Sequence, residues 1–236
     1  MKMTTNILLK LSLALACVVA LGGIASAGTL TASATTPTVD GADIAQLNVV
    51  GHTDPGGDPG HIWSNRPNQG QTFTTGGNGP GYLLNSVALR NEENTVNNNT
   101  ATFTVRIGTV SGTTFTPVAT ETSNVAVSYV PDDFMTFAFD TPVALSPNTL
   151  YAFDWATTGS GFTTWNNVNT EYAGGEGFSS GANGAPDDAN LIFRGIDREF
   201  HIDMAAQIPE PSSLVLAALG LVAMLGTVWC VRRRQS

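Results

Sequence analysis

Cysteine is nearly missing from this chain of 236 residues, and its two examples, Cys17 and Cys230, both lie in hydrophobic end segments. Residues 28–208 therefore contain neither a disulfide nor a thiol, which excludes a cysteine nucleophile and a thiolate metal site there. Small secreted domains often lean on disulfides; this one must depend on its core, its hydrogen bonds or a bound ion. Lysine stops after Lys2 and Lys10. Residues 28–208 hold twelve Asp and six Glu against five Arg, a net charge near −13. Such a balance excludes nucleic acid and argues against anionic lipid as partners, because both are bound through basic patches. It suits an exported, soluble domain that meets divalent cations.

Long apolar runs occur only at the two ends. Lys2 and Lys10 precede an apolar run at residues 11–21; Gly22 and Gly23 break it, and Ala25-Ser26-Ala27 follows. This three-part order predicts a secretory signal at residues 1–27, cut by signal peptidase after Ala27, with Ala34 as the weaker alternative. The run is too short to span a bilayer, which takes about 20 apolar residues. Cys17 sits within the run and not at the cut, so lipidation is not expected. At the other end, residues 212–231 are twenty without a charge, followed at once by Arg232, Arg233 and Arg234. As a helix they would rise about 30 Å, the thickness of the hydrocarbon core. The arginines would stay on the cytoplasmic side, leaving the preceding domain outside.

Directly before that run stands Pro209-Glu210-Pro211. Pro-Glu-Pro, an apolar helix and an arginine cluster, in that order over residues 209–234, resemble the PEP-CTERM sorting signal of Gram-negative bacteria. The resemblance implies recognition and cutting by the membrane-embedded exosortase near Pro-Glu-Pro, with the helix a transient inner-membrane anchor. It also implies a host that makes exopolysaccharide or biofilm matrix. The address carries no activity with it.

Between the ends, no stretch shows a helical repeat, whereas a period of two recurs. At residues 101–110, Phe103, Val105 and Ile107 fall on one face and Thr102, Thr104 and Arg106 on the other. That is the pattern of a strand with one face buried. In the same way Tyr151, Phe153 and Trp155 alternate with Ala152 and Asp154, and Phe200, Ile202 and Met204 with His201 and Asp203. His201 reads as exposed on the polar face. Further strands are expected at residues 44–50, 71–75, 82–90, 115–119, 124–130, 134–139, 161–165 and 190–194. Gly/Asn/Pro clusters at 76–81 and 145–148 read as turns, and residues 91–100 and most of 159–186 as loops. Eight to ten short strands with such turns predict one all-β domain at residues 28–208: an antiparallel β-sandwich, specifically a jelly roll. Phe115 to Pro117, Phe137 to Phe139 and Pro142 to Phe153 resemble parts of the extracellular choice-of-anchor β-sandwich domains, which implies fold and no established activity.

Candidate sites are few. No His-Glu-x-x-His or Gly-x-Ser-x-Gly sequence occurs. His52, His61, Asp54 and Asp58 share a polar loop that could hold zinc, although a solvated Gly/Pro/Asp loop is the simpler reading. Calcium takes six to eight oxygens, including backbone carbonyls. Asp187, Asp188 and Asn190 are the first candidates for it, and Asp54 and Asp58 the second. Trp165 and Tyr172, flanked by Asn residues, are candidates for stacking on a sugar. The expected function is that of a non-enzymatic exported surface or matrix protein. A carbohydrate-binding module is the alternative, and a secreted hydrolase the remaining rival.

Overall fold

The computed structural model describes residues 27–47, 60–63, 68–91, 102–123, 126–158, 162–165, 167–169, 172–181 and 187–209. Regular structure among them is entirely strand. In chain order these are β1 (Thr29–Ser33), β2 (Ile44–Gln46), β3 (Gly60–Trp63), β4 (Gln69–Thr74), β5 (Tyr82–Arg90), β6 (Thr102–Ser111), β7 (Thr114–Thr122) and β8 (Phe134–Leu145). There follow β9 (Leu150–Thr158), β10 (Phe162–Trp165), β11 (Asn167–Asn169), β12 (Gly177–Ser180), β13 (Leu191–Phe193), β14 (Ile196–Arg198) and β15 (Phe200–Ala206).

The alternating patterns become two antiparallel sheets. One has the order β1-β8-β5-β15-β2, the other β13-β12-β4-β9-β6-β7; two ribbons, β10-β3 and β11-β14, stand beside them. The register places Val105 and Gln69 opposite Trp155, and Ile107 and Gln71 opposite Phe153, so these side chains share the inner face. From the other sheet, Val87, Leu89, Phe137, Phe200 and Ile202 join the same cluster. Rings interlock across the gap: Phe137 meets Trp155 edge-on at 6.1 Å, and Phe153 meets Phe200 at 5.7 Å. Offset and edge-to-face pairs at such distances add to the area they bury. The protein is thus an antiparallel β-sandwich, its inner face the one the alternation of Phe103, Val105 and Ile107 marks.

The six-stranded sheet is covered on its outer face as well. Phe115, Ala152, Phe178 and Leu191 form a second buried cluster there. Phe178 lies over Gly70, where a Cβ would come within 2.5 Å of its ring and 2.1 Å of the Phe153 carbonyl oxygen.

Three expectations are corrected. Residues 126–130 form no strand. The Asp133 carboxylate accepts from the Val130 amide, Asp132 takes a left-handed φ of 67°, and Tyr129 is buried edge-on to Phe103. That geometry turns the segment into a plug. The Gly- and Ser-rich stretch 159–186, expected to be mostly loop, holds β11 and β12 besides the anticipated β10. Small residues serve a packing purpose in β12, because a Cβ on Gly177 would come within 2.7 Å of the Ile196 carbonyl. His201 is buried at 6% exposure, not exposed. Its ring meets the Asp43 carboxylate at 3.0 Å.

Among the described residues no helix is long and apolar enough to cross a membrane. The signal residues Ala25 and 1–26 as a whole, and the apolar run 212–231, lie outside the described residues.

Candidate functional site

The residues expected to bind calcium sit in a turn that crosses the outer face of the six-stranded sheet. Asp188 lies beside Arg106, which donates to both its carboxylate oxygens at 3.0 and 2.8 Å. Asp187 caps its own turn: its carboxylate accepts from the Ala189 amide at 3.0 Å and from the Asn190 side chain. Among the described residues no group of three His, Cys, Asp or Glu is placed to hold an ion. Asp54, Asp58 and His52 lie outside the described residues, as do Pro211, Glu210, Arg232, Arg233 and Arg234. Trp165 is the last residue of β10, opposite Gly60 of β3. Tyr172 is half-buried, with its ring edge-on to Phe200 at 5.3 Å. Burial raises its hydroxyl pKa.

What the alternation pattern missed is the charge buried behind that turn. Asp154 of β9 is fully buried. Register sets it opposite Arg106, whose guanidinium also reaches Asp188, while Asn68 donates to it at 3.0 Å. Complete burial pushes the Asp154 carboxyl above its ordinary value, against the pull of Arg106 and Asn68. Burial alone would weaken the hold of Arg106 on its proton, but its bonds to the two carboxylates outweigh that and raise its pKa. The guanidinium also lies 4.9 Å over the Phe115 ring. A carboxylate between two alanines on an otherwise plain face was the available signal.

On the inner face, Gln71 donates to Asp197 at 2.8 Å and accepts from the Arg198 amide at 2.9 Å. Arg198 donates to Gln69 at 2.8 Å. Burial and the nearby Arg194 bring the Arg198 pKa down to about 10, with Asp197 opposing. These networks are consistent with holding strands together, since buried charge is retained only when paired.

The remaining geometry concerns how the chain leaves the domain. β15 pairs with β5 as far as Ala206 opposite Tyr82. The next residue, Gln207, is clasped: its amide donates to the Gly81 carbonyl at 3.0 Å and its side chain to the Tyr82 carbonyl at 3.2 Å. Its own carbonyl accepts from Asn78 at 3.1 Å. Asn78 can reach because the turn 78–81 is closed by a 2.8 Å bond from the Gly81 amide to the Asn78 carbonyl. Gly81 has φ 94°, and a Cβ there would lie 2.3 Å from the Leu145 carbonyl, so the turn needs glycine. Beyond the clasp Ile208 is 86% exposed, and Pro209 follows.

A sandwich whose last strand runs, two residues after the clasp at most, into Pro-Glu-Pro and then an apolar run defines a class: a folded domain with a C-terminal sorting tail. Residues 207–234 match the PEP-CTERM protein-sorting motif. The chain carries that motif, which implies an exported cell-surface protein of a Gram-negative-type bacterium, processed by exosortase. No curated protein and no solved structure matches the chain.

Proposed function

We propose that this is a non-enzymatic surface or matrix protein whose sandwich acts as a structural or adhesive unit. Signal peptidase removes residues 1–27, the helix at 212–231 anchors the chain transiently in the inner membrane, and exosortase cuts near Pro209-Glu210-Pro211. The mature domain then associates with exopolysaccharide or biofilm matrix. The observation that carries the reading is the sorting motif beginning at the residue where the last strand is tied off. The buried Asp154 supports it, since its bond to Arg106 ties β9 to β6. Jelly-roll connectivity and kinship with choice-of-anchor domains belong to this proposal too. Deleting the host's exosortase should leave the full-length chain in the inner membrane; unchanged release would overturn the sorting step.

One observation favours carbohydrate binding as a second reading. The ribbon of β3 and β10 concentrates Trp63, Phe162 and Trp165 in two four-residue strands. Calorimetric titration with the host's exopolysaccharide, in the wild type and in Trp165→Ala, separates the two. Binding lost in the variant supports the module, and no binding in either leaves the structural role.

A further inference from the structure

The pole where the chain leaves the sandwich differs in charge from the rest of the domain. Two turns flank the exit, at residues 76–81 and 146–149, tied together by a 2.9 Å bond from the Asn148 amide to the Gly76 carbonyl. Neither contains a charged residue. The sequence around them is equally bare: residues 74–89, 141–153 and 204–209 have no Asp, Glu, Lys, Arg or His. This holds in a domain whose net charge is near −13. Apolar side chains emerge instead. Ile208 is 86% exposed, and Leu150, opposite Thr74 at the end of β4, is 39% exposed.

The tether after the clasp is short. Five residue steps separate Gln207 from Ser212, the first residue of the apolar run. A fully extended chain covers at most about 3.6 Å per step, hence about 18 Å. The nine residues of β5 lead away from this pole, and at about 3.3 Å per step between them they put the opposite pole about 26 Å further off. A tail seated in a bilayer therefore brings the uncharged pole to the lipid and keeps the other pole away. Carboxylates near an anionic surface would be repelled within a Debye length, about 8 Å at physiological salt. The two turns beside the exit offer none, although Asp43 accepts from the Met204 amide and the turn of Asp187 and Asp188 is bonded to the β6–β7 hairpin at the same end.

Resting on the reading of residues 212–231 as a membrane segment, we propose that this pole is a lipid-facing surface. Turns 76–81 and 146–149, with Ile208 at the interface, lie against the bilayer while the tail is attached, and the bonds that tie Gln207 to Asn78, Gly81 and Tyr82 fix that orientation. The overall acidity that argues against lipid contact is thus absent from the two turns beside the exit.

The test uses the signal-free chain with Cys230→Ser, reconstituted in vesicles of equal parts phosphatidylethanolamine and phosphatidylglycerol. A fluorophore is attached through Gly79→Cys, where a Cβ meets nothing within 4 Å, or through Ala34→Cys, next to the β1 residue that pairs with Phe134. Headgroup-linked nitroxide lipid then quenches whichever label lies near the surface. Several-fold stronger quenching at position 79 than at position 34, reduced when Asn78→Ala releases Gln207, is expected. Equal quenching in a protein that co-sediments with the vesicles overturns the orientation alone. Failure to co-sediment overturns the membrane-segment reading and the orientation with it. Protection of the position 79 thiol in host membranes without quenching in pure vesicles assigns the pole to a protein and overturns the lipid assignment.

Discussion

Replacing Asp154 with Asn tests whether the buried charge on the outer face works as a strand tie. Asp154 is 0% exposed and accepts from Arg106 and Asn68, whereas Arg106 is 15% exposed and Asp188 is 39% exposed. Removing one partner of a buried pair typically costs about 3–5 kcal/mol, because the other charge is stranded. Arg106 would keep Asp188, so Asp154→Asn should cost somewhat less, about 2–4 kcal/mol on the same scale. Asp188→Asn removes a partner that water already screens, and should cost at most about 1 kcal/mol. The double variant leaves Arg106 with neither carboxylate and should lose more than the two single losses combined. Urea unfolding of the secreted form, followed by the fluorescence of the buried Trp155, gives the midpoints, and an unchanged slope confirms that the comparison is one of stability. Equal losses for the two single variants, or less than about 0.5 kcal/mol for Asp154→Asn, would refute the assignment of the tie to the buried partner.

Three other outcomes are expected. Burial alone would raise the Asp43 carboxyl, but amide bonds from Asp40 and Met204 and the His201 ring outweigh it and hold it below its ordinary value of 3.8. The unfolded chain therefore takes up this proton first, so the stability Asp43 supplies is complete above that value and is lost as pH falls through the lower folded one. Asp43→Asn should lower stability at neutral pH and flatten the acid limb of the urea midpoint, while Asp154→Asn, whose carboxyl is shifted upward and so takes up its proton more readily in the folded state, should steepen that limb. Gly70→Ala forces a Cβ to within 2.1 Å of the Phe153 carbonyl and should cost at least about 2 kcal/mol by thermal unfolding, against almost nothing for Gly79→Ala in open space. Asn78→Ala should fray the last residues of β15, seen as faster amide exchange at Gln207 with little change at Ile202.

The sandwich was legible wherever one face of a strand is buried. Phe103, Val105 and Ile107, or Tyr151, Phe153 and Trp155, announce the core by period alone, and the register confirms that they meet there. That logic fails where both faces are covered. Ala152 and Asp154 read as solvent-facing because nothing local reveals that Phe115, Phe178 and Leu191 pack with the first, or that Arg106 and Asn68 reach the second, from distant segments. His201 was misplaced for the same reason, since its cover, Asp43, comes from 158 residues away. The calcium expectation at Asp187 and Asp188 rested on adjacent carboxylates. That adjacency carries no sign of the Arg106 guanidinium, which the fold brings from β6 to Asp188. The sorting motif was readable because its meaning lies in the order of residue types and not in a fold. What the sequence withheld there was the clasp at Gln207, made by an Asn and a Gly from a turn that reads only as a turn.

The most direct test of the account is the intact mass of the mature protein purified from its native host. The account predicts a chain that begins at Gly28 and ends within or beside Pro209-Glu210-Pro211, with any added group attached to that end. A mass that retains residues 212–234 would contradict it and leave a plain single-pass anchor in place of a processed tail.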